Sequence, residues 1–564
     1  MLLLAACEPV EKPETDVPDG PDNGNSTGEY NTAWEKFVHR TDDNVLLDFS
    51  YAGYDHGETA PPDIWSLGYK KYDVTDFGAV PDDGKSDRQA FLDAINAALG
   101  GKGWQVSGEN YNYDGAVPKA NAIIYFPAGH YILYDRETDD IDGKSLTITL
   151  RAGHIAIAGA GRDKTFIEMA DPYRSISGSP DDYASQMLCF KHWSGFNELS
   201  DVEEDASKGD FSVKVSSTSG LSKGMWVALT LGDGANGTRG NNDPEVVAEE
   251  LYPYPLESWM TQLKNTGVIG AEIHQIASVR GNVVRFEEPI LRNIRAGWGW
   301  KLSKYNYYEN VAVEDLTFVG HAVEHFVHDH WEETSQYGPL LLMRLVNSWV
   351  RRVNFHSVTS AVGFSTCVNC SAYDIVIDGN MGHTAVNASK STRVFIGKTK
   401  DVSDSDTRDG AGQHHANGVS KWSNGTVIWN CEWGIDSNFE SHATQPRATL
   451  FDMCRGGFLR SRQGGAASEL PNHLDDLTLW NFEALNVPQR ADDWDWWLPV
   501  GERGWRFMPP TVVGFHGVPV KFREDQMKLN ESQGTPVEPL SLYEAQLKLR
   551  LGAVPKWLND LKVQ

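Results

Sequence analysis

Short apolar runs rich in β-formers recur along the second half of this chain. Aligning Val353, Ile375, Val394 and Val427 gives steps of 22, 19 and 33 residues, which correspond to two single coils and one coil with an inserted loop. Independent hairpins would need turn pairs such as Asn-Gly between the runs, and these are mostly missing. The recurrence therefore predicts an all-β chain folded as a parallel β-helix. The runs are 311–320, 349–358, 372–380, 392–399, 425–433, 448–454 and 474–485.

An ordered set of local signals opens the folded region. Residues 72–99 (YDVTDFGAVPDDGKSDRQAFLDAINAAL) combine an extended entry, a Gly-Ala turn, an Asp/Gly-rich loop and an amphipathic helix, and residues 123–133 (IIYFPAGHYIL) add a buried strand with a Pro-Ala-Gly corner. This order resembles the N-terminal cap and first coil of the pectate-lyase-like superfamily of polysaccharide-active enzymes, which implies a right-handed, single-stranded parallel β-helix with an N-terminal helical cap. The resemblance implies a long groove suited to a polymeric sugar, although a fold does not fix a reaction.

Composition changes divide the chain into five segments. Residues 191–300 lose the coil pattern and predict an antiparallel β insertion. Near the end, Ser541 and Glu544 form a capping-box pattern and Gly552 a stop signal, which predicts a capping helix over the open end of the solenoid. The predicted segments are a tether at 1–30, an N-terminal cap with the first coils at 31–190, the insertion at 191–300, the main β-helix with the groove at 301–510, and a C-terminal cap at 511–564.

The N-terminus resembles a bacterial lipoprotein signal. Leu4-Ala5-Ala6-Cys7 resembles a lipobox, and residues 8–30 are acidic and rich in proline, as expected for a tether. This interpretation predicts a lipid anchor on Cys7 and a location at the outer membrane, the cell surface or the periplasmic face. A soluble chain with a chance LAAC sequence is the alternative. The other five cysteines are expected to be buried free thiols: Cys189, Cys367, Cys370, Cys431 and Cys454.

The charge balance restricts the partners. Lys and Arg number 50 against 78 Asp and Glu, a net charge of −28, which argues against nucleic acid because phosphates need a basic surface. An acidic polysaccharide remains a suitable substrate only if the site has a local basic patch or a bound cation. A monomer is expected.

Ionisable side chains concentrate between residues 408 and 473. His415 and His442 lie 27 residues apart, about one coil plus a loop, so both are expected on one face of a groove. The predicted reaction is β-elimination from a uronic-acid-containing polysaccharide, with or without sulfate, and it needs a base, an acid and a group that neutralises the carboxylate. His415 and His442 are the candidates for proton transfer, Lys421 for an alternative base, and Arg447 for binding the carboxylate. The predicted substrate-binding residues are His414, Asn417, Asn438, Arg455, Arg460, Arg462 and His473.

Two other functions remain open. A glycoside hydrolase would use two carboxylates, drawn from Asp436, Glu440 and Asp452. The motifs of polygalacturonase-like glycosidases, Asn-Thr-Asp-Gly, Gly-His-Gly and Arg-Ile-Lys, do not occur in the sequence, and neither does the Trp-Ile-Asp-His motif of one pectate lyase family. A non-catalytic glycan-binding surface protein is the third hypothesis.

Two clusters suggest cations. The loop Asp404, Asp406 and Asp409 is either a Ca²⁺ loop or a solvated turn, and its spacing is not that of an EF-hand. Ca²⁺ is therefore the candidate cofactor. A histidine cluster follows a predicted strand, but its spacings of 4, 3 and 2 match no strong metal motif. Loop or groove-rim histidines are therefore favoured over a transition-metal site, and substrate contact is the second interpretation. Its members are His321, His325, His328 and His330.

Overall fold

The structure is a computed structural model that describes residues 30–174, 185–232, 239–328, 336–460, 462–487, 494–496 and 504–563. The chain forms two compact units, Met1–Asn44 and Val45–Gln564. In the first, the helix Ala33–Val38 begins with a capping box between Thr32 and Glu35. The predicted lipid anchor at Cys7 and the tether up to residue 29 lie outside the described residues.

The second unit is a parallel β-helix, which confirms the predicted fold class. One wall, here called the long sheet, stacks a buried apolar side chain from each coil, for example Val350, Ala372, Ile396 and Ile428 in register. Burying this column removes apolar surface from water in every coil. The strands of the long sheet are Lys70–Asp73, Ala122–Phe126, Gly129–Tyr134, Ile155–Gly159, Thr165–Met169, Val311–Val319, Trp349–His356, Ser371–Asp378, Phe395–Asp401, Thr426–Trp429, Thr449–Asp452, Leu477–Trp480, Thr511–Val513 and Leu529–Glu531.

A second parallel sheet forms another wall and carries the candidate site. Its strands are Trp104–Ser107, Asn110–Tyr113, Thr147–Leu150, Leu188–Lys191, Leu340–Met343, Ser360–Ser365, Thr384–Ser389, His415–Ser420 and Asn438–His442. The first two of these strands pair antiparallel and the later ones parallel. Two short parallel groups complete the coils: Tyr308–Glu309 with Leu345–Val346, and Arg455–Gly457 with Glu483–Asn486 and His516–Gly517.

The coil register differs from the sequence alignment after the first step. Val353 pairs with Ile375 as predicted, but Ile375 pairs with Thr399, and the partner of Val427 is Phe395. The predicted equivalence of Val394 with Ile375 is therefore wrong. The physical reason is that Thr399, a polar residue, occupies the buried position in its coil with 1 % exposure, so the apolar pattern pointed to a neighbouring valine instead.

Four successive strands of the long sheet each contain a residue with left-handed backbone at the same position. Asp315, Arg352, Asp374 and Lys398 occupy equivalent positions in successive coils and have φ of 62°, 52°, 54° and 47°. This conformation is uncommon for residues other than glycine, because Cβ crowds the backbone. This repeated corner shapes the coils. Because none of the four residues is glycine, the sequence does not indicate where the corner lies.

The insertion is an antiparallel sheet, as expected. Its strands are Phe196–Asp201, Ser212–Lys214, Trp226–Leu231, Gly270–Arg280, Val283–Phe286 and Lys301–Tyr305. A core of its own includes Val227, Leu229 and Phe286. A buried ion pair between Glu250 of the insertion and Arg447 also joins the insertion to the solenoid, and Arg292 of the insertion contacts the same carboxylate at 2.8 Å.

The terminal helix forms where predicted but covers a different surface. Ser541 accepts a hydrogen bond from the Glu544 amide at 3.1 Å, and the helix Leu542–Leu551 ends at the left-handed Gly552. The ring of Tyr543 packs 5.4 Å from that of Phe395, so the helix covers the outer face of the long sheet and not the end of the solenoid. Among the described residues after 44, the α-helices are Arg88–Leu99, Arg136–Asp139, Pro244–Leu251, Thr261–Thr266, Leu542–Leu551 and Lys556–Val563.

Two further expectations can be compared with the structure. Cys189, Cys367, Cys370, Cys431 and Cys454 are buried and free, as predicted. In the described ranges, no helix combines the length and the apolar character that crossing a bilayer requires.

Candidate functional site

Three histidines from different coils converge beside the second parallel sheet. His415 is the first residue of its strand, and its backbone amide donates a 2.8 Å hydrogen bond to the carbonyl of His383, which precedes the neighbouring strand. His328 arrives from the loop after the strand Val311–Val319. One imidazole nitrogen from each lies within 4.8 Å of the others, and no other group of three such ligands is found in the part of the chain described. We call these residues the histidine triad.

Neighbouring groups fix the orientation of the triad. The ring of His414 stacks on that of His328 with centroids 4.2 Å apart. The Nδ1 of His415 lies 3.0 Å from the carbonyl oxygen of Arg462. Burial, together with the nearby histidines, lowers the pKa of His383 to about 3 and that of His415 well below its usual value. Burial and the charge of Arg462 lower the pKa of His414 to about 2, so this pocket holds neutral imidazoles near pH 7.

A buried carboxylate lies on the next strand. Glu440 accepts a 2.7 Å hydrogen bond from the side-chain amide of Asn387, which is two coils away. Gly418 separates the two residues in the sheet, and a Cβ there would lie only 2.4 Å from the carbonyl oxygen of Glu440. Burial raises the pKa of Glu440 to about 6, against the opposing effects of His442, the Asn387 hydrogen bond and Lys421.

A basic edge borders this carboxylate. His442 ends its strand in register with Ser420, and the residues that follow Ser389 and Ser420 are Lys390 and Lys421. Both lysines have left-handed backbone, with φ of 55° and 59°, so they occupy the same corner of successive coils. The corner therefore carries local positive charge, of which Lys421 is partly paired with Glu469 at 3.7 Å.

The two arginines expected to bind a carboxylate have other partners. Arg447 is buried and contacts Glu250 of the insertion. Arg455 lies between Glu432 at 3.3 Å and Glu483 at 3.2 Å. The structure therefore does not bring either guanidinium to the histidine triad or to Glu440.

Several other predicted site residues stabilise the solenoid. Asp452 lies in the long sheet and accepts a 2.9 Å hydrogen bond from the amide of Tyr543, and burial raises the pKa of Asp452 to about 7. His473 is buried between the carbonyl of Leu474 and the hydroxyl of Thr449. These contacts hold the coils and the terminal helix together.

The predicted asparagines also bond to backbone. Asn417 accepts from the amide of Val386 at 3.2 Å, and Asn438 accepts from the amide of Leu459 at 2.7 Å. Both are about 2 % exposed or less, so neither amide side chain reaches a groove. Their bonds join adjacent coils and satisfy polar groups in the interior.

Asp436 and its neighbours lie around the rim of the triad. Its carboxylate pairs with Arg408 at 3.1 Å, and its backbone carbonyl accepts from the Arg462 guanidinium at 2.6 Å. Arg460 lies over the ring of Trp494 at 5.4 Å. Arg462 therefore approaches the triad, whereas Arg460 packs on an aromatic ring.

The residues of the acidic loop and of the histidine cluster have different partners. Asp404 accepts from the amide of Gly410, and Asp406 pairs with His325 at 2.6 Å. Asp404, Asp406 and Asp409 do not form a three-ligand group among the residues described, and calcium binding there stays a prediction. His321 pairs with Glu168 at 2.6 Å, and His330 lies outside the described residues.

Sequence reasoning missed His383 and Asn387. The signal was present, because His383 precedes His415 by 32 residues, and Phe395 pairs with Val427 over the same step of 32. Counting back one coil of 32 residues from His415, in the register that the structure shows, leads to His383. The arrival of His328 from a distant loop had no comparable signal.

Two segments match known families. Residues 72–202 match the family described as "Rhamnogalacturonase A/epimerase, pectate lyase-like", and residues 412–561, which include Lys421, Glu440 and His442, match "Domain of unknown function (DUF4955)". No curated protein matches the chain.

Two solved structures in which the chain follows a similar course are a phage protein and a bacterial enzyme module. The tailspike protein gp49 from Pseudomonas phage LKA1 is 12 % identical, with a TM-score of 0.41 over 82 % of this chain and 79 % of that chain. The A-module of the Azotobacter vinelandii mannuronan C-5 epimerase AlgE4 is 12 % identical, with a TM-score of 0.35 over 83 % of this chain and 79 % of that chain.

Proposed function

We propose that this protein is a polysaccharide lyase that cleaves a uronic-acid-containing polymer by β-elimination along the second parallel sheet. One observation carries the proposal: the buried Glu440 carboxylate lies among basic groups, His442 and Lys421, on the outer face of that sheet. The match of residues 72–202 to a pectate-lyase-like family supports a carbohydrate substrate.

The reaction assigns two proton transfers to this corner. One of His442 and Lys421 takes the proton from C5 of the uronate, and the other gives a proton to the departing glycosidic oxygen. The C5–H and C4–O bonds break and a C4=C5 double bond forms, so no water or oxidant is consumed. His415, expected to share this role, is 2 % exposed and faces the other histidines, so we assign proton transfer to His442 and Lys421.

Hydrolysis is the competing reaction, and its predicted second carboxylate is occupied elsewhere. Asp452 lies in the long sheet under the terminal helix, and Asp436 pairs with Arg408. Neither Asp436 nor Asp452 is therefore placed to act with Glu440 as the second carboxylate of a hydrolase. The elimination mechanism needs no pair of carboxylates, because His442 and Lys421 make the two proton transfers.

The test follows the ultraviolet absorbance of the unsaturated uronate product on a panel of acidic plant, algal and animal polysaccharides, with and without chelator. His442→Gln should lower kcat at least about a hundredfold, the usual contribution of a proton-transfer group, and Glu440→Gln should also lower kcat because it removes the carboxylate beside His442 and Lys421. Glu432→Gln, a matched change at the exposed pair with Arg455, should leave activity unchanged. Shortened chains without new absorbance would favour hydrolysis, and binding without shortening would favour a glycan-binding surface protein.

We further propose that Cys7 carries a lipid anchor that holds the protein at a bacterial membrane surface, where a polymeric substrate is accessible. The support is the Leu4-Ala5-Ala6-Cys7 sequence followed by an acidic tether. Cys7→Ser in the full-length precursor should move the protein from the membrane fraction to the soluble fraction. Retention of the variant in membranes would contradict the anchor.

A further inference from the structure

We propose that the histidine triad, His328, His383 and His415, binds one divalent transition-metal ion of the Zn²⁺ type. The three rings approach one another from three directions, with centroids 5.0 to 5.5 Å apart and no pair stacked in parallel. One nitrogen of each imidazole lies within 4.8 Å of the other two. Rings arranged in this way direct their nitrogens toward a common point, as ligands of a metal do.

The hydrogen bond of His415 sets the tautomer that a metal requires. A backbone carbonyl can only accept, so the contact of Nδ1 with the Arg462 carbonyl at 3.0 Å places the hydrogen on Nδ1. The lone pair of the neutral ring is then on Nε2. Metal-binding histidines commonly donate their second N–H to a backbone carbonyl or carboxylate, which fixes the ring and raises its basicity.

The pocket also positions the one ligand that comes from a loop. His328 comes from a loop, and the stacked ring of His414 at 4.2 Å supports it from one side. Nitrogens around a tetrahedral Zn²⁺ at about 2.0–2.1 Å lie roughly 3.3 Å apart, so the triad needs to close by about 1.5 Å at most. A loop side chain can make that movement, while His383 and His415 are fixed by adjacent coils.

The ligand type selects the metal. Neutral imidazoles suit Zn²⁺, Ni²⁺, Cu²⁺ and Fe²⁺, whereas Ca²⁺ and Mg²⁺ require oxygen ligands. Three protein ligands leave a fourth position open, as in catalytic and not structural zinc sites. This site is separate from the calcium loop expected at Asp404, Asp406 and Asp409.

The open position suggests what the ion does, and this step rests on the proposed lyase function. β-Elimination needs a cation at the substrate carboxylate, and Arg447 and Arg455 are paired with glutamates elsewhere. Glu440 and His442 lie on the strand that pairs with the strand of His415, so the triad and the proposed proton-transfer groups share one wall of the solenoid. A metal at the triad would bind the uronate carboxylate and stabilise the enolate.

The experiment measures metal binding without substrate, so it is independent of the reaction. Untagged full-length protein is stripped with chelator and titrated with ZnCl₂ by calorimetry, and with CoCl₂ while the visible spectrum is recorded. We expect about one ion per chain and the absorption of a four-coordinate Co²⁺ site. His328→Gln should weaken binding at least about tenfold and abolish the Co²⁺ spectrum. Because His328 lies on a loop, the stability of its metal-free form should equal that of the wild type.

A matched control distinguishes the triad from surface histidines. His356→Gln removes an exposed imidazole that pairs with Asp378, and it should bind Zn²⁺ like the wild type. Substoichiometric binding in the wild type, or full binding by both His328→Gln and His383→Gln, would overturn the proposal. Stoichiometric metal binding without any unsaturated product on the polysaccharide panel would leave the metal site standing and refute the lyase function.

Discussion

The side-chain amide of Asn387 donates a 2.7 Å hydrogen bond to Glu440 across an intervening coil, over the position of Gly418. Successive strands of a sheet lie about 4.8 Å apart, so the two side chains must extend toward each other over the middle strand. Any side chain on that strand would stand between them. The glycine thus keeps the carboxylate in place without contacting substrate itself.

Gly418→Ala should therefore disturb both stability and activity. Its Cβ would lie 2.4 Å from the Glu440 carbonyl oxygen and 2.5 Å from the Glu440 Cβ, so the neighbouring strand must shift. We expect the free energy of unfolding to fall by about 1–3 kcal/mol, as for other overpacked sites, and lyase activity to be lost. Gly297→Ala, which meets no atom within 4 Å, is the control. Wild-type activity in Gly418→Ala would show that the Asn387–Glu440 contact is dispensable.

Arg447→Met should reduce stability and leave substrate affinity unchanged. The substitution leaves the buried Glu250 with Arg292 as its remaining partner, and breaking a buried pair costs about 3 kcal/mol. Urea unfolding measures that loss, and KM for the polymer measures binding. The triple variant Arg447→Met/Glu250→Leu/Arg292→Met should recover part of the stability, because it removes all three buried charges together. A large rise in KM with unchanged stability would instead restore Arg447 to the substrate site.

The substitution Asp452→Asn distinguishes a structural role of Asp452 from a role of Glu440 in the reaction. The Asp452 side chain accepts from the amides of Leu542 and Tyr543, so the change should weaken attachment of the terminal helix and lower Tm by a few degrees. Activity should remain near that of the wild type, in contrast to Glu440→Gln. Equal loss of activity in both variants would support a hydrolase that uses the two carboxylates together.

Because His473 is buried, we expect the protein to lose stability as the pH falls. Burial, with a further contribution from Arg447, lowers its pKa to about 4, whereas the unfolded chain titrates near 6.5. Between those values the unfolded state binds more protons, so the stabilisation by neutral His473 is complete above about pH 6.5 and is lost as the pH falls toward 4. The stability difference between wild type and His473→Gln should shrink over this window by up to about 3 kcal/mol.

The exposed His356 provides the contrast for that experiment. Its hydrogen bond with Asp378 raises its pKa, so its stabilisation is present at low pH and is lost as the pH rises. The difference in stability between wild type and His356→Gln should therefore shrink as the pH rises. A pH-independent difference for His473→Gln would contradict the burial of a neutral ring.

Much of the fold was predictable because it depends on local signals. The recurrence of β-rich runs gave the solenoid, and Ser541, Glu544 and Gly552 gave the terminal helix, since caps are read from a few adjacent residues. The surface that this helix covers was not predictable. That choice depends on which apolar face the assembled long sheet leaves for it.

The site required the tertiary structure. The sequence determined that ionisable residues crowd the region from 408 to 473, and that His415 and His442 lie about one coil apart. Only the folded chain decided that Arg447 turns to the insertion, and that His328 and His383 join His415. Side chains alternate between two faces of a strand, and loops of unequal length separate the coils, so a small error in register changes which side chains meet. The polar Thr399 in the core concealed that register from the sequence.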